Sequence, residues 1–378
     1  MINSTPRKRN VAFFPIEIKN NHYCGPLYGT IHEQSGVVNV FSAAIQEAKI
    51  ASDFICDLQQ SKEQCDNQSM MAFWENDRVH LINQGVDYSI QYYDLHQNVF
   101  SRNTGILESD IMQEKRAVIL GCGSVGSLIA LELARAGVGH FLLIDNDIVE
   151  YHNLCRHQCS ISDVGDYKVN AVEKRIKEIN PSAEVLAVIS VAEYVSKEIF
   201  DSFCVENNTI FIGCADNRQA DVYGNSLAVY YKTAFISIGF CERAFAGEIF
   251  YYLPGKDMPC YKCALGDGSG LSARSSANRR VYTTEEDLTA VHFEPGISVD
   301  INFVTTIGIK LAIDIFNIDN KMFTPRLIDS LTQYTLVCNT NKTAIGGELA
   351  ELFSYPLQVT TSLIVGHREG CPPCEFER

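Results

Sequence analysis

The chain has 378 residues, a length that points to two domains or three lobes rather than one minimal domain. Hydrophobic residues make up 46% and charged residues 20%, an ordinary globular composition that excludes a disordered chain. With 31 basic against 46 acidic residues the net charge is −15, the wrong sign for a protein that works on a nucleic-acid backbone, and no run of about 18 apolar residues offers a membrane span.

The first ten residues carry Arg7, Lys8 and Arg9, and the apolar stretch Val11–Ile18 is broken by Glu17 too soon for a signal-peptide core. The expectation is a cytoplasmic protein. Its 14 cysteines are then reduced, and metal binding or burial is their default rather than disulfides. Val11–Ile18, Leu27–Ile31 and Val37–Val40 read as short strands. Ala43–Gln59 reads as an amphipathic helix, Ser69–Phe73 as the start of another, and Val79–Ile82 as a last strand. Residues 1–95 are therefore expected to form a small α+β, winged-helix-like module.

From Lys115 onward, short apolar runs alternate with helical patterns. Arg116–Leu120, His140–Ile144, Val185–Ile189, Thr209–Cys214 and Ala234–Ile238 read as strands. Ser124–Ala136, Tyr167–Ile179, Glu193–Phe203, Asn217–Tyr230 and Ile297–Phe316 read as helices. This rhythm predicts an α/β domain over residues 96–378, with a Rossmann-like, mostly parallel sheet covered by helices on both faces. Ala264–Glu286 (GDGSGLSARSSANRR at its centre) has little to bury and reads as a mobile loop, either a floppy linker or a lid.

Gly121-Cys122-Gly123-Ser124-Val125-Gly126 is a G-x-G-x-x-G turn between a predicted strand and a predicted helix, and Asp145 follows nineteen positions past Gly126 at the end of the next strand. Glycines let backbone approach a ligand, the helix N-terminus offers free N–H groups, and an acid in this register takes ribose hydroxyls. The alternative is close helix–strand packing alone. Asp147 follows Asp145, and Asn153, Arg156 and Lys168 come within the next turns. An Arg and a Lys near the phosphates favour a triphosphate over a nicotinamide cofactor. Asp216-Asn217 follows the strand Thr209–Cys214, where a carboxylate facing phosphates is a natural Mg²⁺ ligand.

Together the glycine turn, "LIDNDIVEYHNLCRH", "VGDYKVNAV" and "ADN" resemble the ThiF/MoeB/HesA superfamily, which includes ubiquitin-activating enzymes, over roughly Tyr92 to the end. The resemblance implies ATP- and Mg²⁺-dependent adenylation of a carboxylate. Asp145 would hold the ribose and Asn153, Arg156 and Lys168 the phosphates. Asp216 would bind Mg²⁺, with Asn217 beside it. Arg102, in "NVFSRN", resembles the family arginine that reaches across a homodimer into the partner's site. Two positions depart from the pattern, Ser124 where glycine is common and His157 where glutamine is common.

Cys260-x-x-Cys263 and Cys371-x-x-Cys374 offer four thiolates, the ligand set of a structural Zn²⁺ site, and the family carries one at matching positions. Some relatives pass the acyl group to a cysteine in the loop after the first pair. Between Cys263 and Cys338 this chain has none, and His292 falls about where that cysteine would lie. The product is then expected to stay an acyl-adenylate. The front module weakly resembles the peptide clamp of microcin C-type peptide-adenylating enzymes. The expected substrate is accordingly a precursor peptide, with a ubiquitin-like or sulfur-carrier protein as the alternative. A catalytically inactive nucleotide-binding partner subunit is the rival from another class.

Overall fold

The computed structural model describes residues 8–65, 69–215, 218–265, 295–339, 360–363, 365–367 and 369–371. The chain divides into two compact units, Met1–Thr104 with Asn180–Ser182, and Gly105–Ile179 with Ala183–Arg378.

The first unit is built on an eight-stranded sheet. Its strands are β1 (Val11–Pro15), β2 (Gly25–His32), β3 (Val37–Val40), β4 (Asp53–Gln59), β5 (Met70–Glu75), β6 (Arg78–Asn83), β7 (Val86–Asp87) and β8 (Ser89–Tyr93). They run in the order β7-β6-β5-β4-β2-β3-β1-β8. The helices are short: α1 (Ile16–Asn20), α2 (Ala43–Glu47) and α3 (Leu95–Phe100). Phe14, Leu27, Val38, Leu58, Trp74 and Leu81 centre the core.

Of two expected helices here, one is cut short and the other is a strand. The one over 43–59 stops at Glu47, followed by Lys49 at a left-handed φ of 55°. Residues 53–59 are instead β4, hydrogen-bonded between β2 and β5, with Ile55, Cys56 and Leu58 buried. The apolar spacing fits either period, and the neighbouring strands decide it. The stretch from Ser69 is β5. It folds back on β6 through Asn76 and Asp77, both at positive φ (50° and 60°), the conformation of a tight two-residue hairpin turn. The unit is therefore sheet-dominated rather than winged-helix-like.

The second unit comprises α4 (Ser109–Gln113), β9 (Arg116–Leu120), α5 (Ser124–Arg135), β10 (His140–Ile144), α6 (Lys168–Ile179), β11 (Glu184–Val188), α7 (Lys197–Phe203), β12 (Thr209–Gly213), α8 (Arg218–Tyr230), β13 (Ala234–Phe240), β14 (Ala246–Tyr252), α9 (Tyr261–Leu265), α10 (Ser298–Phe316), β15 (Tyr334–Cys338) and β16 (Thr360–Leu363). The sheet order is β11-β10-β9-β12-β13-β14-β15-β16. From β11 to β13 the strands are parallel. β14, β15 and β16 add an antiparallel edge that the strand–helix rhythm did not predict. Alternate residues of β9 enter opposite clusters. Ala117 and Ile119 pack with α5, α6 and α10, whereas Val118 and Leu120 pack with α7 and α8. Both faces are thus covered, as a parallel sheet requires.

The chain leaves β9 for β10 and β11 on one side, then returns to β12 on the other. That reversal opens a crevice at the carboxyl ends of the strands. The expected loop at 264–286 lies, beyond Leu265, outside the described residues, as does His292.

One buried ion cluster sets the approach to α6. Asp163 is 3% exposed and accepts bonds from the Ser160 amide (2.7 Å), the Ser160 hydroxyl (2.8 Å), Lys174 (3.0 Å) and Arg175 (3.1 Å). Burial alone would raise its carboxyl, but these donors outweigh it and hold it at about 2 against an ordinary 3.8. A depressed folded value means that the stabilisation is present above the unfolded value and is lost as pH falls through the folded one. Asp163→Asn should therefore cost about 2 kcal/mol at pH 7. Urea midpoints of wild type and variant should converge as pH drops from 4 toward 2.

Candidate functional site

The crevice is a cleft of about 970 Å³ in the second unit. Its floor is the turn after β9. Gly121 adopts a left-handed φ of 98°, and its amide bonds to the Ile144 carbonyl at 2.9 Å. A Cβ there would come within 3.2 Å of the Cys214 backbone, so only glycine suits the position. Gly123 is the N-cap of α5 and brings no side chain to its first amides. Gly121, Gly123 and Ser124 line the cleft. Gly126 has another role: a Cβ on it would fall 1.8 Å from the Gly121 carbonyl oxygen, so it lets α5 pack beneath the turn.

Asp145 stands beside this floor. Its carboxylate accepts the Cys122 amide at 2.7 Å and the Asp147 amide at 2.8 Å, which ties the end of β10 to the glycine turn. Lys168, the first residue of α6, is bonded to Asp147 twice, through its amide to the carbonyl (2.9 Å) and its ammonium to the carboxylate (2.8 Å). Asn153 is 4% exposed. Its side-chain oxygen accepts the Glu150 amide at 2.8 Å, so it also holds the turn that delivers Arg156. Asp145, Asp147, Asn153, Arg156 and Lys168 all line the same cleft.

His157 lines it too, with its ring facing Gly123. Burial, followed by Lys168, Arg156 and His152, pushes this imidazole down to about 3, so it is neutral at pH 7. Burial drives the Cys122 and Cys214 thiols upward, which disfavours the thiolate form of both. Arg102 is exposed in the turn after α3. Asp216 and Asn217 lie outside the described residues, between β12 and α8.

Sequence reasoning missed the other walls. Gln219 and Ala220 of α8, together with Ile238 and Gly239 of β13, line the far side. Two buried acids hold these elements. Glu248 on β14 takes Arg218, the first residue of α8, at 3.2 Å and a short bond from the Tyr334 hydroxyl. Asp221, fully buried, accepts Ser237 of β13 at 2.8 Å and the Tyr261 hydroxyl at 3.3 Å. Acids inside an otherwise apolar pattern were the available signal, but their partners are distant in sequence.

The first cysteine pair opens and closes the first turn of α9. The Cys260 sulfur lies 3.8 Å from that of Cys263 and 3.2 Å from that of Cys371, and all three sulfurs fall within 4.8 Å of one another. Metal–sulfur bonds of about 2.3 Å in a tetrahedron give sulfur–sulfur edges of about 3.8 Å, so the three fit one metal ion. The described cysteines form no disulfide. Cys374 lies outside the described residues.

A switch-point cleft floored by glycines, with an acid on one flank and two cations on another, defines a nucleotide-binding α/β protein of the Rossmann-like class. More narrowly, the chain belongs to the ThiF family, whose profile matches residues 97–340. It is 33% identical over 157 residues to the sulfur carrier protein ThiS adenylyltransferase of Bacillus subtilis (41% of this chain, 45% of that protein). It is 30% identical over 169 residues to ubiquitin-like modifier-activating enzyme 5 of Aedes aegypti (42% of each). The match spans less than half the length of these relatives. The fold is like that of E. coli MccB crystallised with ATP, with a TM-score of 0.51 and 20% identity, covering 73% of each chain.

Proposed function

We propose that this protein is an ATP-dependent adenylyltransferase that activates a carboxylate as an acyl-adenylate. The observation that carries the reading is the joint presence of the glycine turn, Asp145, Arg156 and Lys168 along one cleft. In this reading the ribose is held by Asp145, and the phosphates lie on the amides of Gly123 and Ser124 at the start of α5. A substrate carboxylate oxygen attacks the α-phosphorus, and the bond to the bridging oxygen of pyrophosphate breaks. Negative charge then moves onto the leaving group, where Arg156 and Lys168 neutralise it; positioning and charge account for the catalysis without a proton relay. Asp216 is assigned to Mg²⁺, which would neutralise the same phosphates. Arg102 is assigned to a second copy's site in a homodimer, and the cysteines to a structural zinc. A cytoplasmic setting suits reduced thiols.

The substrate class favoured is a peptide, presented by its C-terminal carboxylate. The first unit supports this as a sheet-dominated lobe of its own, the kind of element to which an extended peptide can add as a strand. A folded ubiquitin-like or sulfur-carrier tail is the second reading, favoured by the function names of the curated relatives. The retained Arg156 and Lys168 weigh against an inactive partner subunit.

Calorimetry of the full chain should show binding of Mg·ATP and none of NAD; tight NAD binding overturns the reading. With ATP and an accepted carboxylate, intact-mass spectrometry should find the acyl-adenylate as a free or noncovalently held product. A thiol-cleavable adduct on Cys214 or Cys241 would show that the acyl group passes through an enzyme thioester after all.

A further inference from the structure

We infer that Asp221 is a positioning residue through which a metal held by the cysteine cluster tightens nucleotide binding in the cleft. The inference rests on the adenylyltransferase reading and extends it to the regulation of that site. Asp221 lies one turn into α8 and is wholly buried. One carboxylate oxygen accepts both Ser237 on β13 (2.8 Å) and the Tyr261 hydroxyl (3.3 Å). The other lies 2.2 Å from where a Cβ on Gly213 would stand, so the end of β12 is shaped around it. Each of these elements continues directly into the cleft. β12 leads to Cys214 and Ala215, β13 carries Ile238 and Gly239, and α8 presents Gln219 and Ala220.

Tyr261 is the link to the metal cluster. It sits between Cys260 and Cys263, and its amide donates to the Asn225 side-chain oxygen at 2.7 Å, one turn further along α8. The ring packs edge-on against Phe235 and Phe250, which fixes its direction. Cys260, Cys263 and Cys371 bound to one ion therefore hold the amide and the phenol of Tyr261 in place together. When that turn loosens, a buried carboxylate loses a donor, and the walls it joins lose their common anchor. A metal favouring the anchored arrangement thus favours nucleotide, and nucleotide must in turn favour retention of the metal.

The test is calorimetric titration of Mg·ATP into the full chain, zinc-loaded or chelator-treated, for wild type, Tyr261→Phe and Ser237→Ala. Zinc removal is expected to weaken ATP binding by wild type about tenfold. Tyr261→Phe should keep its zinc, bind ATP about tenfold more weakly, and respond little to further zinc removal. Ser237→Ala, which removes a donor not attached to the cysteines, should weaken binding yet keep the response to zinc. ATP should slow zinc release to a chelator from wild type but not from Tyr261→Phe. A zinc-loaded Tyr261→Phe with lowered thermal stability and unchanged ATP affinity overturns the inference, and this comparison decides even if the chelated chain unfolds. No ATP binding by zinc-loaded wild type overturns the adenylyltransferase reading itself.

Discussion

Lys168→Ala should lower turnover by about 10²–10³-fold while leaving the fold intact. The residue begins α6, and its side chain is 13% exposed, with the ammonium held 2.8 Å from Asp147. It is thus already aimed before nucleotide arrives. A charge placed in advance costs no reorganisation when the leaving group becomes negative, and that is where preorganised groups have their largest effect. Removing it leaves Asp147 facing the phosphates without its cation, so repulsion adds to the lost attraction. Pyrophosphate exchange measures the chemical step, and calorimetry separates it from binding. Loss of ATP affinity with unchanged turnover at saturation would assign Lys168 to ground-state binding alone. The homodimer assignment of Arg102 is checked with the same variant. When Lys168→Ala chains are mixed with Arg102→Ala chains, each mixed dimer should regain about half the activity of a wild-type dimer, because one of its two sites receives both intact residues. No recovery in demonstrably mixed dimers would show that Arg102 does not act across the interface.

Cys371→Ser should remove one equivalent of zinc and cause the largest loss of stability of any single exchange considered. Cys371 is 4% exposed, and its sulfur is 3.2 Å from that of Cys260. It lies 111 positions along the chain from that partner, so the cluster ties Cys371 to the start of α9. Structural zinc sites in peptides bind with about 10–16 kcal/mol, and binding there is coupled to folding. Loss of even ~3 kcal/mol lowers a thermal midpoint by roughly 6–12 °C for a domain of this size. Elemental analysis and differential scanning calorimetry check both halves. A variant that keeps full stability without metal would reduce the cluster to ordinary buried thiols, which are among the most buried of side chains in any case.

What could be read directly from the sequence was the half of the cleft whose chemistry is local. Gly121, Gly123, Asp145, Arg156 and Lys168 arrive within one strand–turn–helix–strand stretch and the turns just after it. There, positive φ, helix caps and apolar period are written in consecutive residues, and the structure lines one cleft with all five. The pairing of Cys260 with Cys263 was legible for a similar reason, since two thiols three positions apart can face the same ion. Tertiary structure alone decided the rest. Residues 53–59 carry a pattern that fits a helix or a strand, and pairing with β2 and β5 makes them β4. Ala246–Tyr252 is buried throughout and has no alternation to announce it, so the antiparallel edge exists only because β13 and β15 flank it. The bonds of Asp221 and Glu248 join residues up to 86 positions apart. A buried carboxylate in a sequence signals that some partner must exist, because an unpaired one is too costly to keep, but only the folded sheet brings Ser237, Tyr261, Arg218 and Tyr334 within reach.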